Sequence, residues 1–154
     1  MNTLSKYKLN LSRFPLEIHM VHINTKYVNN PSAAYENKDG LAVIGIFGYI
    51  VNGTTNEAFD PIMDAANELA VDNEGKIEKT LRLKNILDQV KGSDYFSYQG
   101  SLTTPGCDEI VSWIVYDQPI LITESQVQNI YEVLCFDMPV SLSRVDQNVN
   151  WGFI

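Results

Sequence analysis

The chain has 154 residues and is 45% hydrophobic, 10% aromatic and 19% charged, the composition of one globular domain rather than a disordered chain. Its net charge of −8 argues against nucleic acid or an anionic membrane surface as partner, since both select basic patches. No apolar run approaches the ~20 residues of a membrane span, and Met1 to Leu11 carries lysines without the apolar stretch of a signal peptide.

Leu16 to Ile23 reads as a strand. Side chains alternate, so Glu17, His19 and Val21 share one face and Ile18, Met20 and His22 the other. Asn29-Asn30-Pro31 is a turn signal. Leu41 to Tyr49 is apolar at both parities and β-branched-rich, the pattern of a buried central strand. Asn52-Gly53 ends it. Asp60-Pro61 then opens a helix, with Asp60 as the expected N-cap and Ile62, Met63, Ala66, Leu69 and Ala70 as its apolar stripe.

The stretch from Val71 to Val90 is mixed and charged, fitting a loop and a short helix. Tyr95 to Tyr98 is strand-like, and a hydroxyl-bearing loop from Gly100 to Gly106 follows. Ile110 to Tyr116 is a second buried strand, Asp117-Gln118-Pro119 a turn, and Ile120 to Ile122 a short strand. Thr123-Glu124-Ser125-Gln126 has capping-box spacing, and Val127, Ile130, Tyr131 and Leu134 follow at helical intervals. The expected architecture is a β-rich α+β domain.

The chemistry centres on His19. A lone histidine on a strand is most often a hydrogen-bonded structural residue. Glu17 on the same face changes that balance, because a metal-ligating imidazole commonly donates its second N–H to a carboxylate. His22 points to the other face. The adjacent hydroxyls Thr103 and Thr104 serve either as turn caps or as groups that orient a metal-bound hydroxide. Val21, Val43, Leu102, Val111 and Trp113 are ordinary core candidates. The two cysteines, Cys107 and Cys135, can pair, stay free or bond elsewhere. Asn10-Leu11-Ser12 and Asn52-Gly53-Thr54 are glycosylation sequons, which matter only in a secreted chain.

Four segments in order, Glu17–Tyr27 (EIHMVHINTKY), Asp39–Phe47 (DGLAVIGIF), Tyr98–Pro105 (YQGSLTTP) and Ser112–Pro119 (SWIVYDQP), resemble the alpha-class carbonic anhydrases. The resemblance runs from Phe14 to Leu134. It implies a twisted, mainly antiparallel central sheet with peripheral helices, over a partial domain spanning 14–144 between an atypical N-terminal segment (1–13) and an atypical tail (145–154). It also implies zinc as cofactor and carbon dioxide and bicarbonate as substrates. Zinc in this family lowers the pKa of its bound water to ~7, a general figure for carbonic anhydrase.

By the same resemblance His19 is a zinc ligand and Glu17 its supporting carboxylate. Thr103 is the hydroxyl that holds zinc hydroxide, with Thr104 beside it. Val21, Val43, Leu102, Val111 and Trp113 form the apolar wall for carbon dioxide. Cys107 corresponds to a cysteine that is disulfide-bonded in secreted members.

The family's other two zinc ligands form a His-x-His pair upstream of Glu17. Met1 to Phe14 holds no histidine, and His19 and His22 are the only histidines of the chain. The expectation is therefore a chain inactive alone, completed by a partner chain. The alternative is a non-catalytic, carbonic anhydrase-related binding module. Cys107 and the sequons favour an extracellular setting for the full-length protein, with a cytoplasmic one as the alternative.

Overall fold

The structure, a computed structural model, describes residues 8–9, 12–64, 82–135, 144–146 and 149–152, with side chains over 14–64 and 82–131. Its centre is a seven-stranded twisted sheet. The strands are β3 (Leu16–Ile23), β4 (Leu41–Ile50), β5 (Tyr95–Gly100), β6 (Val111–Tyr116), β7 (Ile120–Ile122), β8 (Arg144–Asp146) and β9 (Val149–Gly152). The spatial order is β5-β6-β4-β3-β9-β8, with β7 also on β4. A separate two-stranded ribbon joins β1 (Lys8–Leu9) to β2 (Ser12–Arg13).

The sheet is mixed. Most of its described pairings are antiparallel, but β4 pairs in parallel with both β6 and β7. β6 lies along Leu41–Gly45 and β7 along Gly48–Ile50 of the same β4 edge, so the Asp117-Gln118-Pro119 turn interrupts what is otherwise one line of pairing. Apolar clusters cover both faces of β4. That accounts for its unbroken apolar run, of which only Tyr49 is exposed.

Two apolar clusters flank the sheet. On one face Val21, Leu41, Val43, Phe47, Val111, Trp113 and Val115 pack with Phe14, Tyr27 and Ala34. Phe14 stacks on Phe47 with ring centroids 4.7 Å apart. The opposite face carries Ile18, Met20, Ile46, Ile120 and Ile122 against Phe59, Met63 and helix α2 (Leu83–Val90). Helix α3 (Glu124–Cys135) adds Val127 and Ile130 to that face. The helical stripe predicted for α3 is narrower than the spacing implies, because Tyr131 is exposed.

Short helix α1 (Pro31–Ala34) covers one end of the first cluster, and Pro31 opens it where the sequence signals only a turn. At Gly40 an added Cβ would lie 1.8 Å from the Ala34 carbonyl oxygen, so glycine is required where β4 begins against α1. Asp39 accepts from the Tyr27 hydroxyl at 2.7 Å and from Lys26 Nζ at 3.1 Å, pinning the β3–β4 connection.

The predicted cap at Asp60 is corrected. The 3-10 turn Glu57–Phe59 precedes it, and Asn56 is the cap, its side chain accepting from the Ala58 N–H. Asp60 has helical φ and ψ and leads into a helical segment at 60–64. Ala66, Leu69 and Ala70 lie outside the described residues. Asn56 is held at the start of that 3-10 turn because its amide also bonds Gln89 and the Leu121 carbonyl, while its backbone bonds the buried Gln126 side chain. The capping box is present, with Thr123 Oγ1 accepting from the Gln126 N–H and Gln126 Oε1 accepting from the Thr123 N–H.

Candidate active site

Alternation on β3 brings Glu17, His19 and Val21 to the face of the first cluster. His19 Nε2 lies 2.7 Å from Glu17 Oε1. A carboxylate oxygen can only accept, so the contact makes Nε2 the protonated nitrogen and leaves Nδ1 as the imidazole's lone-pair donor. Both side chains are mostly buried, at 16% and 8% exposure, which strengthens the pair relative to a surface contact.

Strand register explains the rest of the arrangement. Gly45 stands opposite His19 on β4, and Val115 stands beside Gly45 on β6. With no side chain at Gly45, the Trp113 ring reaches across to His19, edge to face at 4.8 Å between centroids. A Cβ at Gly45 would sit 3.2 Å from a Val115 methyl and 3.8 Å from the indole. A glycine inside a β-branched strand is the sequence sign of such close approach, and it was the signal available for this contact.

Trp113 is the hub of this face. It is 2% exposed. Its Nε1–H donates to the Ser101 carbonyl at 3.1 Å, tying β6 to the loop that carries Leu102, Thr103 and Thr104. It also stacks on Tyr98, with ring centroids 6.3 Å apart and planes 10° from parallel. Burial, and secondarily the negative charge of Glu17, pushes the Tyr98 hydroxyl pKa up.

The loop closes on itself through Leu102 N–H to Asp108 O at 2.9 Å and Cys107 N–H to Thr104 O at 3.0 Å. Gly106 and Cys107 both have positive φ, 110° and 49°. Thr103 and Thr104 are half-buried.

The apolar residues singled out from the sequence do come together. Val21, Val43, Val111 and Trp113 belong to one cluster, and Leu102 packs on it. The first four are at most 5% exposed, so in this chain they are packed interior, and half-buried Leu102 is the member nearest solvent. His22 is on the other face, where Nδ1–H donates to the Met20 carbonyl at 2.8 Å. Burial holds its pKa below the ordinary value, opposed by backbone hydrogen bonds to Met20 and Ala42. Cys107 is exposed and free, and the side chain of Cys135 lies outside the described residues.

The fold and this face define a β-rich domain of carbonic anhydrase type. Comparison with known proteins agrees: the eukaryotic-type carbonic anhydrase family matches residues 2–149. Rat (Rattus norvegicus) carbonic anhydrase 4 is 33% identical over 146 residues, covering 94% of this chain and 47% of that protein. Human (Homo sapiens) carbonic anhydrase 3 is 32% identical over 130 residues, covering 84% of this chain and 48% of that protein. Bovine (Bos taurus) carbonic anhydrase 3 is 28% identical over 150 residues, covering 96% and 54%. The chain belongs to the carbonic anhydrase family, and it spans about half the length of these relatives.

The family generally uses zinc, and the donor set tests whether these residues fit it. Catalytic zinc takes three protein ligands and a water. The site face supplies one imidazole nitrogen, His19 Nδ1, and Glu17 is already engaged by that ring. Among the described residues no three His, Cys, Asp or Glu side chains are grouped to hold a metal. His19 fits as one ligand, but these residues do not form a complete zinc site.

Proposed function

We propose that this chain supplies part of a carbonic anhydrase site and is inactive in carbon dioxide hydration when alone. The observation that carries the proposal is the 2.7 Å contact from Glu17 to His19 Nε2, which presents Nδ1 as a single fixed metal donor. In a completed site His19 is the ligand and Glu17 sets its tautomer and raises its basicity. Thr103 is the hydroxyl that orients the attacking oxygen, with Thr104 beside it. Val21, Val43, Leu102, Val111 and Trp113 give the apolar wall that receives carbon dioxide. The remaining metal donors come from polypeptide outside these 154 residues, because His19 and His22 are the only histidines here and they face opposite ways.

A second reading, a non-catalytic binding module of the same family, rests on the absence of a three-residue donor group among the described residues. Metal analysis and carbon dioxide hydration on one folded, monomeric sample separate the outcomes. The proposal expects far less than one zinc per chain and no sulfonamide-sensitive activity, with His19-dependent zinc uptake once the missing donors are supplied. About one zinc per isolated chain with activity overturns it. Complementation without any zinc uptake supports the binding module instead.

A further inference from the structure

Two dipeptides of this chain, Asp39-Gly40 and Asn52-Gly53, can close the same five-membered ring. Each sets a side-chain carbonyl carbon one residue ahead of a glycine N–H, the least hindered main-chain nucleophile because glycine has no Cβ. The fold locks one dipeptide and leaves the other open.

At Asp39-Gly40 both reacting groups are engaged. The Asp39 carboxylate accepts from the Tyr27 hydroxyl at 2.7 Å and from Lys26 Nζ at 3.1 Å. The Gly40 N–H donates to the Asn37 carbonyl at 3.0 Å, and a Cβ on Gly40 would lie 1.8 Å from the Ala34 carbonyl oxygen. Neither group can turn toward the other without breaking these contacts.

Asn52-Gly53 lies just past the bond from the Val51 N–H to the Ile122 carbonyl, at 2.9 Å. Asn52, Gly53 and Thr54 are all exposed. Gly53 has a φ of 154°, with nothing within 4 Å of where a Cβ would stand. The side-chain amides of Asn24, Asn37 and Asn56 each donate to a protein oxygen. Among the described residues nothing bonds the Asn52 amide or the Gly53 N–H. Both groups are free to meet, and the space for a ring is there.

We propose that Asn52 is a self-modification site, where the chain loses ammonia without an enzyme. The Gly53 nitrogen attacks the side-chain carbonyl carbon of Asn52 and forms a C–N bond. The bond from that carbon to Nδ2 breaks, and ammonia leaves with the former Gly53 amide proton. Water then opens the succinimide at either carbonyl, giving aspartate or an isoaspartyl link that routes the main chain through the side chain.

Either product adds a negative charge to a chain already at −8. The isoaspartyl link also lengthens the main chain by a methylene between two held points, the Val51–Ile122 bond and Asn56, whose N–H donates to Gln126. The reaction erases the Asn52-Gly53-Thr54 sequon, so a glycan and ammonia loss exclude each other at this residue.

The test holds the purified full chain at neutral pH and body temperature and follows it by peptide mass mapping. Residue 52 is expected to gain about 1 Da, its NH2 replaced by oxygen, well ahead of Asn24, Asn37 and Asn56, with isoaspartate among the products. Its rate in the folded chain stays within ~10-fold of its rate in urea. Gly53→Ala slows the loss at least ~10-fold. Asp39→Asn, checked for folding by circular dichroism, places a second Asn-Gly dipeptide in the chain. In the folded variant position 39 reacts at least ~10-fold more slowly than position 52, and in urea the two react alike.

An Asn52 that outlasts Asn24, Asn37 or Asn56 overturns the proposal. So does a folded-state rate far below the rate in urea. Equal rates at 39 and 52 in the folded variant also overturn it, because the dipeptide and not its setting would then govern the reaction.

Discussion

Replacing Trp113 with phenylalanine tests whether the indole holds the site face together. The ring is buried at 2% exposure and its Nε1–H reaches the Ser101 carbonyl at 3.1 Å. Phenylalanine removes that donor, which costs ~1 kcal/mol for a neutral hydrogen bond whose acceptor is half-buried. The smaller ring also leaves a gap between His19 and Tyr98, both of which contact the indole. An incompletely collapsed gap of that kind adds ~1 kcal/mol. The sum, ~2 kcal/mol, corresponds to a melting temperature lower by about 4–8 °C for a chain of this size.

Urea unfolding followed by circular dichroism measures the loss, with Trp113→Ala as the upper reference at about 3–5 kcal/mol. If Trp113→Phe costs less than ~0.5 kcal/mol, the range of an ordinary surface substitution, then the indole is not a linchpin and the link from β6 to the Leu102–Thr104 loop is unimportant.

Gly40→Ala drives a Cβ to 1.8 Å from the Ala34 carbonyl oxygen. Backbone cannot yield as a side chain does, so the variant loses more than ~3 kcal/mol or does not fold. In the same urea assay Gly53→Ala meets nothing within 4 Å and costs only ~1 kcal/mol for its positive φ. His22 gives a pH dependence. Burial holds its folded pKa below the ordinary imidazole value of about 6.5, so the unfolded chain binds the proton more readily. Stability from this group is present above about 6.5 and falls as pH drops through and below that value. His22→Gln flattens the stability profile in that window, and an unchanged slope refutes the assignment.

Much of this fold is legible in the sequence, and the reasons differ by element. β3 is readable end to end because one face is apolar and the other carries Glu17 and His19 at period two. The Thr123–Gln126 cap is readable because both halves of the motif are local. The parallel pairing of β4 with β6 is not readable, since an apolar run records burial on both faces and not the direction of its neighbours. The 3-10 turn that Asn56 caps ahead of Asp60 is not readable, since Asn56 is held by Gln89, Leu121 and Gln126, partners up to 70 residues away that no local pattern encodes.

At the site, the Glu17–His19 pair follows from alternation. The part played by Trp113 does not. It depends on three strands in register and on the empty position at Gly45. The exposed state of β5 is likewise invisible in its composition, because Tyr-Phe-Ser-Tyr reads equally well as a covered strand.

The claim on which the rest depends is that Glu17 fixes His19 with Nδ1 as the donor. Long-range nitrogen–proton NMR on the two imidazoles measures it directly, and each ring serves as the other's control. His19 is predicted to be the Nε2–H tautomer, held by Glu17, and His22 the Nδ1–H tautomer, held by the Met20 carbonyl. Glu17→Gln should disturb the first and leave the second. An Nδ1–H tautomer at His19, or one indifferent to Glu17, would contradict the account.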